Sequence, residues 1–271
     1  AHPRVRTIYL TDDDFCIVYR SVETFCQKVI HEKNNGDIPK NLTFMAFCRA
    51  SDASVEMFTW MRKAGFRRLN IGIESFSDKV LMEMNKRCTA EQNHTCLKIA
   101  KETGVGAYGN LIVTTPESTL EDVEETVEQA FKYTQDPFYQ FGVILGIKPL
   151  KGTDYYETYS DFQTRVEKIE NTNYNLKYDD LIYANDARVK ALQIRYWNEI
   201  DDFITGEMEK KDIKHGSAAN LATLKLIFLR KLIHEIRTNK TSVIEDNISQ
   251  KKADPYNERQ TVDLDIDIEY Q

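Results

Sequence analysis

Ala64-Gly65-Phe66-Arg67-Arg68-Leu69-Asn70-Ile71-Gly72-Ile73-Glu74-Ser75 is the stretch whose reading decides the fold. Before it, Val55, Phe58, Met61 and Ala64 fall on one helical face, and Gly65 stops that helix. Leu69 to Ile73 is a short β-rich run, and it ends in a carboxylate and a hydroxyl. A helix that runs straight into a strand is half of an α/β unit.

The same unit recurs on both sides. Further β-rich runs lie at Thr7–Leu10, Leu42–Cys48, Ala107–Thr114 and Gln140–Ile147. Between the first two, Val18, Val22, Phe25, Cys26, Val29 and Ile30 make an apolar stripe. Thr89 with Gln92, and Thr119 with Asp122, have capping-box spacing and open two more helices. Gly104 closes the first of these, and Pro137 bounds the second. Strand starts are roughly 35, 27, 38 and 33 residues apart, the length of a βαβ unit. Such alternation predicts a parallel sheet, either a barrel or an open doubly wound sheet, with its chemistry at the C-terminal strand ends.

The chain has 271 residues, enough for one large domain or for one domain with an appendage. Its hydrophobic content of 41% fills a core, and 36 Lys and Arg against 43 Asp and Glu give a net charge of −7. That balance disfavours capture of nucleic acid or anionic membrane. No apolar run approaches the ~18 residues of a membrane span. Cys16, Cys26, Cys48, Cys88 and Cys96 are odd in number and lack framework spacing, which predicts a reducing cytoplasm. Beyond Tyr156 the pattern changes. Residues 157–184 read as loop with a short helix, Val189 to Phe203 as an amphipathic helix and Leu221 to Ile233 as a buried one. The tail Val262–Tyr270 alternates apolar and acidic, as a half-buried strand or a disordered acidic tail does. The predicted division is therefore 1–156 and 157–271.

Taken in order, the strand ends resemble a known family. They read Thr11-Asp12-Asp13-Asp14-Phe15; Phe47-Cys48-Arg49-Ala50-Ser51-Asp52; Gly72-Ile73-Glu74-Ser75 with Val80 to Lys86 downstream; Gly109 to Thr119; and Lys148-Pro149-Leu150-Lys151-Gly152-Thr153. This sequence of fragments is similar to the radical SAM superfamily, in particular its cobalamin-binding subgroup, over about residues 5–156. The resemblance implies a (β/α)6 TIM-like barrel of which this chain carries strands two to six, strand one being absent, followed by a mainly α-helical extension. It implies S-adenosylmethionine held across the strand ends against a 4Fe–4S cluster whose electron releases a 5′-deoxyadenosyl radical. It further implies methylcobalamin on a preceding domain, an electron donor such as flavodoxin or ferredoxin, and a small-molecule or peptide substrate.

The departures matter. The family's cluster is held by CxxxCxxC, and this chain has no such triplet: nine residues separate Cys16 from Cys26, and seven separate Cys88 from Cys96. The expectation is a piece of a longer protein, inactive alone. Thr114 stands where the family usually has Gly, Ser118 where it often has Glu, and Lys151 where the turn usually has Pro.

Each candidate has a structural role to set beside the functional one. Asp12, Asp13 and Asp14 lie where the resemblance implies contact with the methionyl group, Asp12 or Asp13 before Asp14, as a charge-assisted acceptor for its ammonium; each also suits a helix cap. Glu74 suits ribose hydroxyls or the same ammonium, or else a salt bridge, while Ser75 beside it caps the next helix. Arg49 is a planar fork for a carboxylate, or a partner for the nearby aspartates. Thr114 and Pro116 complete the expected S-adenosylmethionine site. Two other functions use such a barrel: a non-catalytic scaffold that has lost its cluster, and a tRNA methylthiotransferase, which this acidic C-terminal half does not favour.

Overall fold

A computed structural model describes residues 5–158, 182–210 and 218–238. Five parallel strands lie side by side in chain order: β1 (Thr7–Tyr9), β2 (Thr43–Arg49), β3 (Phe66–Glu74), β4 (Gly106–Ile112) and β5 (Tyr139–Ile144). The helices are α1 (Tyr19–Asn35), α2 (Val55–Ala64), α3 (Asp78–Glu83), α4 (Ala90–Thr103), α5 (Leu120–Thr134), α6 (Asp154–Thr158), α7 (Ala187–Lys210) and α8 (Ala218–Thr238). This is the α/β architecture with a helical C-terminal part that the alternation predicts. None of the described helices is long and apolar enough to cross a membrane.

Local chemistry sets the boundaries. Thr89 and Thr119 each accept a hydrogen bond from the N–H three residues on, and Gln92 and Asp122 return it, so both capping boxes form. Gly36, Gly65 and Gly104 end α1, α2 and α4 in the left-handed conformation, which costs glycine no Cβ clash. Two expectations shift. Val18 is the exposed N-cap of α1 and not part of its buried stripe. β5 stops at Ile144, short of Ile147, because Gly146 turns the chain at a φ of 124°. Most of 157–184, and all of the Val262–Tyr270 tail, lie outside the described residues.

The strands show two faces. Phe44, Ala46 and Cys48 of β2, Leu69, Ile71 and Ile73 of β3, and Phe141 and Val143 of β5 are buried in one core. Each fully buried large side chain there contributes about 1.5–3 kcal/mol. The alternate residues, such as Phe47, Arg49, Gly72, Asn110 and Gln140, are only half-buried. β1 is an edge, paired on one side with β2, and its three residues are exposed.

The C-terminal helices lie on the other edge, α8 against α5 and β5 and α7 against α8. Ion pairs of Arg188 with Glu121, Arg230 with Glu128 and Arg237 with Glu124 fasten them to α5. Trp197 donates its Nε1 proton to the Leu145 carbonyl at 3.1 Å. On α8, Leu224, Leu226, Phe228, Leu229, Leu232 and Ile233 are buried as predicted, and Ile227 is exposed.

Candidate functional site

Parallel register aligns one row of residues near the C-terminal strand ends: Arg49 beside Gly72, Gly72 beside Asn110, and Asn110 beside Gly142. Directly beyond Gly72 the register between β3 and β4 slips, so that Glu74 faces Leu111. Glu74 takes a left-handed backbone, φ 59°. Its Oε1 accepts a hydrogen bond from Lys86 Nζ at 2.7 Å.

Lys86 comes from the loop after α3, where Asn85 (φ 50°) and Arg87 (φ 51°) are also left-handed. Among the described residues these two and Glu74 are the only non-glycine positions with positive φ. The Lys86 carbonyl accepts from Arg49 Nη2 at 2.9 Å, so one loop residue joins both charged strand ends. Gly72 makes the room: a Cβ there would lie 2.8 Å from both Glu74 Oε1 and Lys86 Nζ.

The other predicted site residues fall into two groups. Asp12 and Asp13 are exposed on the loop after β1. Their neighbour Asp14 is half-buried, accepts from the Cys16 N–H at 3.2 Å, and faces Asp52 of the turn after β2. Burial, and then the hydrogen bond and charge of Asp52, hold its carboxyl above the usual range. Oδ2 of each is buried with no donor among the described residues.

Ser75, Thr114 and Pro116 sit behind the strand ends. Ser75 is fully buried; its hydroxyl meets Thr126 Oγ1 at 2.7 Å and accepts from the Ser77 N–H. Thr114, equally buried, accepts from Gln193 Nε2 of α7 at 2.9 Å. The Pro116 carbonyl accepts from the Asn185 N–H at 2.8 Å. The 114–118 loop is further held by Glu83, whose carboxylate accepts from Thr115 Oγ1, the Glu117 N–H and Tyr155 Oη.

Arg49 and Glu74 are thus brought together by Lys86, with Asn110 beside Gly72 on the next strand, neither Lys86 nor Asn110 having been chosen from sequence; Glu83, also not chosen, holds the 114–118 loop. For Lys86 the signal was present, as the end of the Val80–Lys86 run. Asn110 was visible only as a polar residue on the open face of an apolar strand.

The described residues do not fit a 4Fe–4S cluster. No group of three His, Cys, Asp or Glu among them is placed to hold a metal ion. All five cysteines are free and four are buried. Burial, and then the charge of Cys16, pushes the Cys26 thiol up to about 12, and burial raises Cys96 as well, the reverse of what a thiolate ligand needs.

Residues 1–130 match the family model of the radical SAM superfamily. Among relatives, an uncharacterized methyltransferase, PH0819, of Pyrococcus horikoshii is 30% identical over 117 residues, 43% of this chain and 25% of that protein. An anaerobic magnesium-protoporphyrin IX monomethyl ester cyclase of Cereibacter sphaeroides is 24% identical over 129 residues, 47% of this chain and 20% of that protein. The chain therefore spans a quarter or less of these relatives. Of solved structures, the cobalamin-dependent S-adenosylmethionine radical enzyme OxsB with aqua-cobalamin bound aligns with a TM-score of 0.58 at 13% identity, covering 86% of this chain and 40% of that one. At that identity the likeness is one of fold.

Proposed function

We propose that this chain is the S-adenosylmethionine-binding barrel portion of a cobalamin-type radical SAM enzyme, one that transfers a methyl group or forms a C–C or C–S bond. The observation that carries this reading is the gathering of three left-handed, non-glycine residues around one ion pair at the ends of parallel strands. Strain of that kind persists at ligand clamps, where the surroundings over-determine it.

The charges suit the ligand. S-adenosylmethionine ends in an α-amino acid, with an ammonium and a carboxylate. Such a group divides the Glu74–Lys86 pair, its ammonium going to Glu74 and its carboxylate to Lys86 and the fork of Arg49. Asn110, open between two glycines, offers a donor and an acceptor to the nucleoside. Asp12 or Asp13 closes over the methionyl end from the β1 loop. Ser75, Thr114 and Pro116 fix the backbone on which the ligand lies.

The cluster ligands lie outside this chain, and alone it does not cleave S-adenosylmethionine. A preceding segment supplies the cluster and the cobalamin, and a flavodoxin or ferredoxin supplies electrons. Residues 157–271 act as a second unit that closes the mouth and selects a small-molecule or peptide substrate. Five free thiols suit a cytoplasmic home.

The test is calorimetric binding of S-adenosylmethionine to this chain and to one extended upstream through a CxxxCxxC segment, with its cluster reconstituted anaerobically. Binding and 5′-deoxyadenosine release by the extended chain alone are expected. An extended chain that holds no iron and binds no S-adenosylmethionine would make this barrel a scaffold.

A further inference from the structure

Glu74 is held from behind by a residue in none of the strand-end motifs. Asn93, on α4, has no exposed surface. Its Nδ2 donates one hydrogen bond to the Ile73 carbonyl at 2.9 Å and another to the Ser75 carbonyl at 2.8 Å. These are the carbonyls on either side of Glu74. Its Oδ1 accepts from the Cys88 thiol at 3.5 Å, so the carboxamide is engaged at both ends and its orientation is set.

The placement has a reason in the backbone. Where the β3–β4 register slips past Gly72, Ile73 drops out of the pairing before Glu74 meets Leu111, and the Ser75 N–H turns back onto the Ile73 carbonyl at 2.7 Å. A left-handed backbone is costly for a residue with a Cβ and persists only where its neighbours hold it. From the other side α5 adds a second clamp: Thr126 Oγ1 meets the Ser75 hydroxyl and accepts from the Phe76 N–H at 3.1 Å. Asn93 alone grips both carbonyls that flank the strained residue. Removing it takes one donor from each of two carbonyls, that of Ile73 keeping the Ser75 N–H, and lets Glu74 relax.

We propose that Asn93 is a positioning residue: it imposes the left-handed backbone at Glu74 and so aims the Glu74 carboxylate across Gly72 at Lys86 and at the ligand. This rests on the reading of Glu74 as a ligand contact. Asn93 itself touches no ligand. Its two amide protons do for Glu74 what a neighbouring strand does elsewhere in the sheet.

Four proteins in the extended, cluster-reconstituted form test this: parent, Asn93→Leu, Glu74→Gln, and the two combined. Leucine keeps the branched outline and heavy-atom count of asparagine, in a somewhat larger side chain, and removes both donors. Near-ultraviolet circular dichroism and a melting curve establish that each is folded, and calorimetry gives the S-adenosylmethionine affinity. Asn93→Leu is expected to weaken binding roughly tenfold or more, as misplaced contact groups do. Added to Glu74→Gln it is expected to cost nothing further, because the carboxylate it aims is gone. Full additivity of the two losses, or parent-like affinity in Asn93→Leu beside a weakened Glu74→Gln, overturns the inference. Unchanged binding in Glu74→Gln instead overturns the underlying reading, and the inference falls with it. Should Asn93→Leu not fold, Asn93→Ser keeps one donor and is judged by the same cycle.

Discussion

Glu74 and Lys86 form their ion pair over the bare Cα of Gly72, with 2.7 Å between Oε1 and Nζ. Two side chains twelve positions apart in sequence meet there only because one strand residue has no side chain.

Gly72→Ala separates folding from binding. The atoms its methyl would meet are the far ends of two flexible side chains, so both can swing aside. Stability is expected to change by no more than about 1 kcal/mol. Affinity for S-adenosylmethionine in the cluster-bearing protein is expected to fall, since the pair no longer lies where the ligand divides it. Urea titration beside calorimetry checks both. A large loss of stability would show that the pair is rigidly packed.

Asp52→Asn is expected to stabilise the fold at neutral pH. Burial and Asp52 raise the Asp14 carboxyl, so ionising it costs the folded state more than the unfolded one. For a raised group the stability is full below the unfolded value of 3.8 and is lost as pH rises through the folded one. An asparagine replaces a competing charge with a donor, a gain of about 1 kcal/mol at pH 7. Urea midpoints at pH 7 and below pH 4 should differ by that gain, which vanishes at the acid end.

Asp122 works in the opposite sense. Burial opposes its charge, but the Thr119 N–H, the Lys79 ammonium, and the hydroxyls of Thr119 and Ser77 outweigh that and hold it at about 2. A depressed carboxyl contributes stability that is full above the unfolded value of 3.8 and lost as pH falls through about 2. Asp122→Asn should therefore cost about 2 kcal/mol at pH 7 and little near pH 2. Denaturant curves across that range would reveal a flat difference if these donors together did not favour the ionised carboxylate.

Gln193→Ala tests how the C-terminal part is attached. Its carboxamide donates to Thr114 Oγ1 and the Ile182 carbonyl and accepts from the Ala184 N–H, all buried. The change should destabilise the protein by about 1–3 kcal/mol. Amide exchange at Ala184 is expected to speed up with it. Unchanged exchange there would mean that α7 holds the 182–185 segment by other contacts.

Much of this architecture could be read in advance because its determinants are local. Gly65, and Thr89 with Gln92, announce helix ends within a few residues of themselves, and the Leu69–Ile73 run announces a strand. Arg49 and Glu74 were found because strand ends collect chemistry in parallel sheets. Lys86 stood in the sequence only as the end of the Val80–Lys86 run; its approach to Glu74 depends on two left-handed residues that no periodicity reveals. Asn93 and Gln193 were hidden for a related reason: each acts on backbone or side chains far away, Gln193 on a threonine 79 positions earlier. Of the three aspartates after β1, the family resemblance favoured Asp12 or Asp13 and could not foresee that Asp14 turns inward to Asp52.

The two borders of the sheet are treated differently. Helices lie against β5, whereas among the described residues the far side of β1 pairs with nothing, and Ile8 and Tyr9 lie open to water. An unfinished border with apolar side chains is a template for any passing strand. Growth of this sheet is therefore polar, like a zipper that can be extended from one end only. In concentrated solution, copies of the isolated chain would stick along that single line.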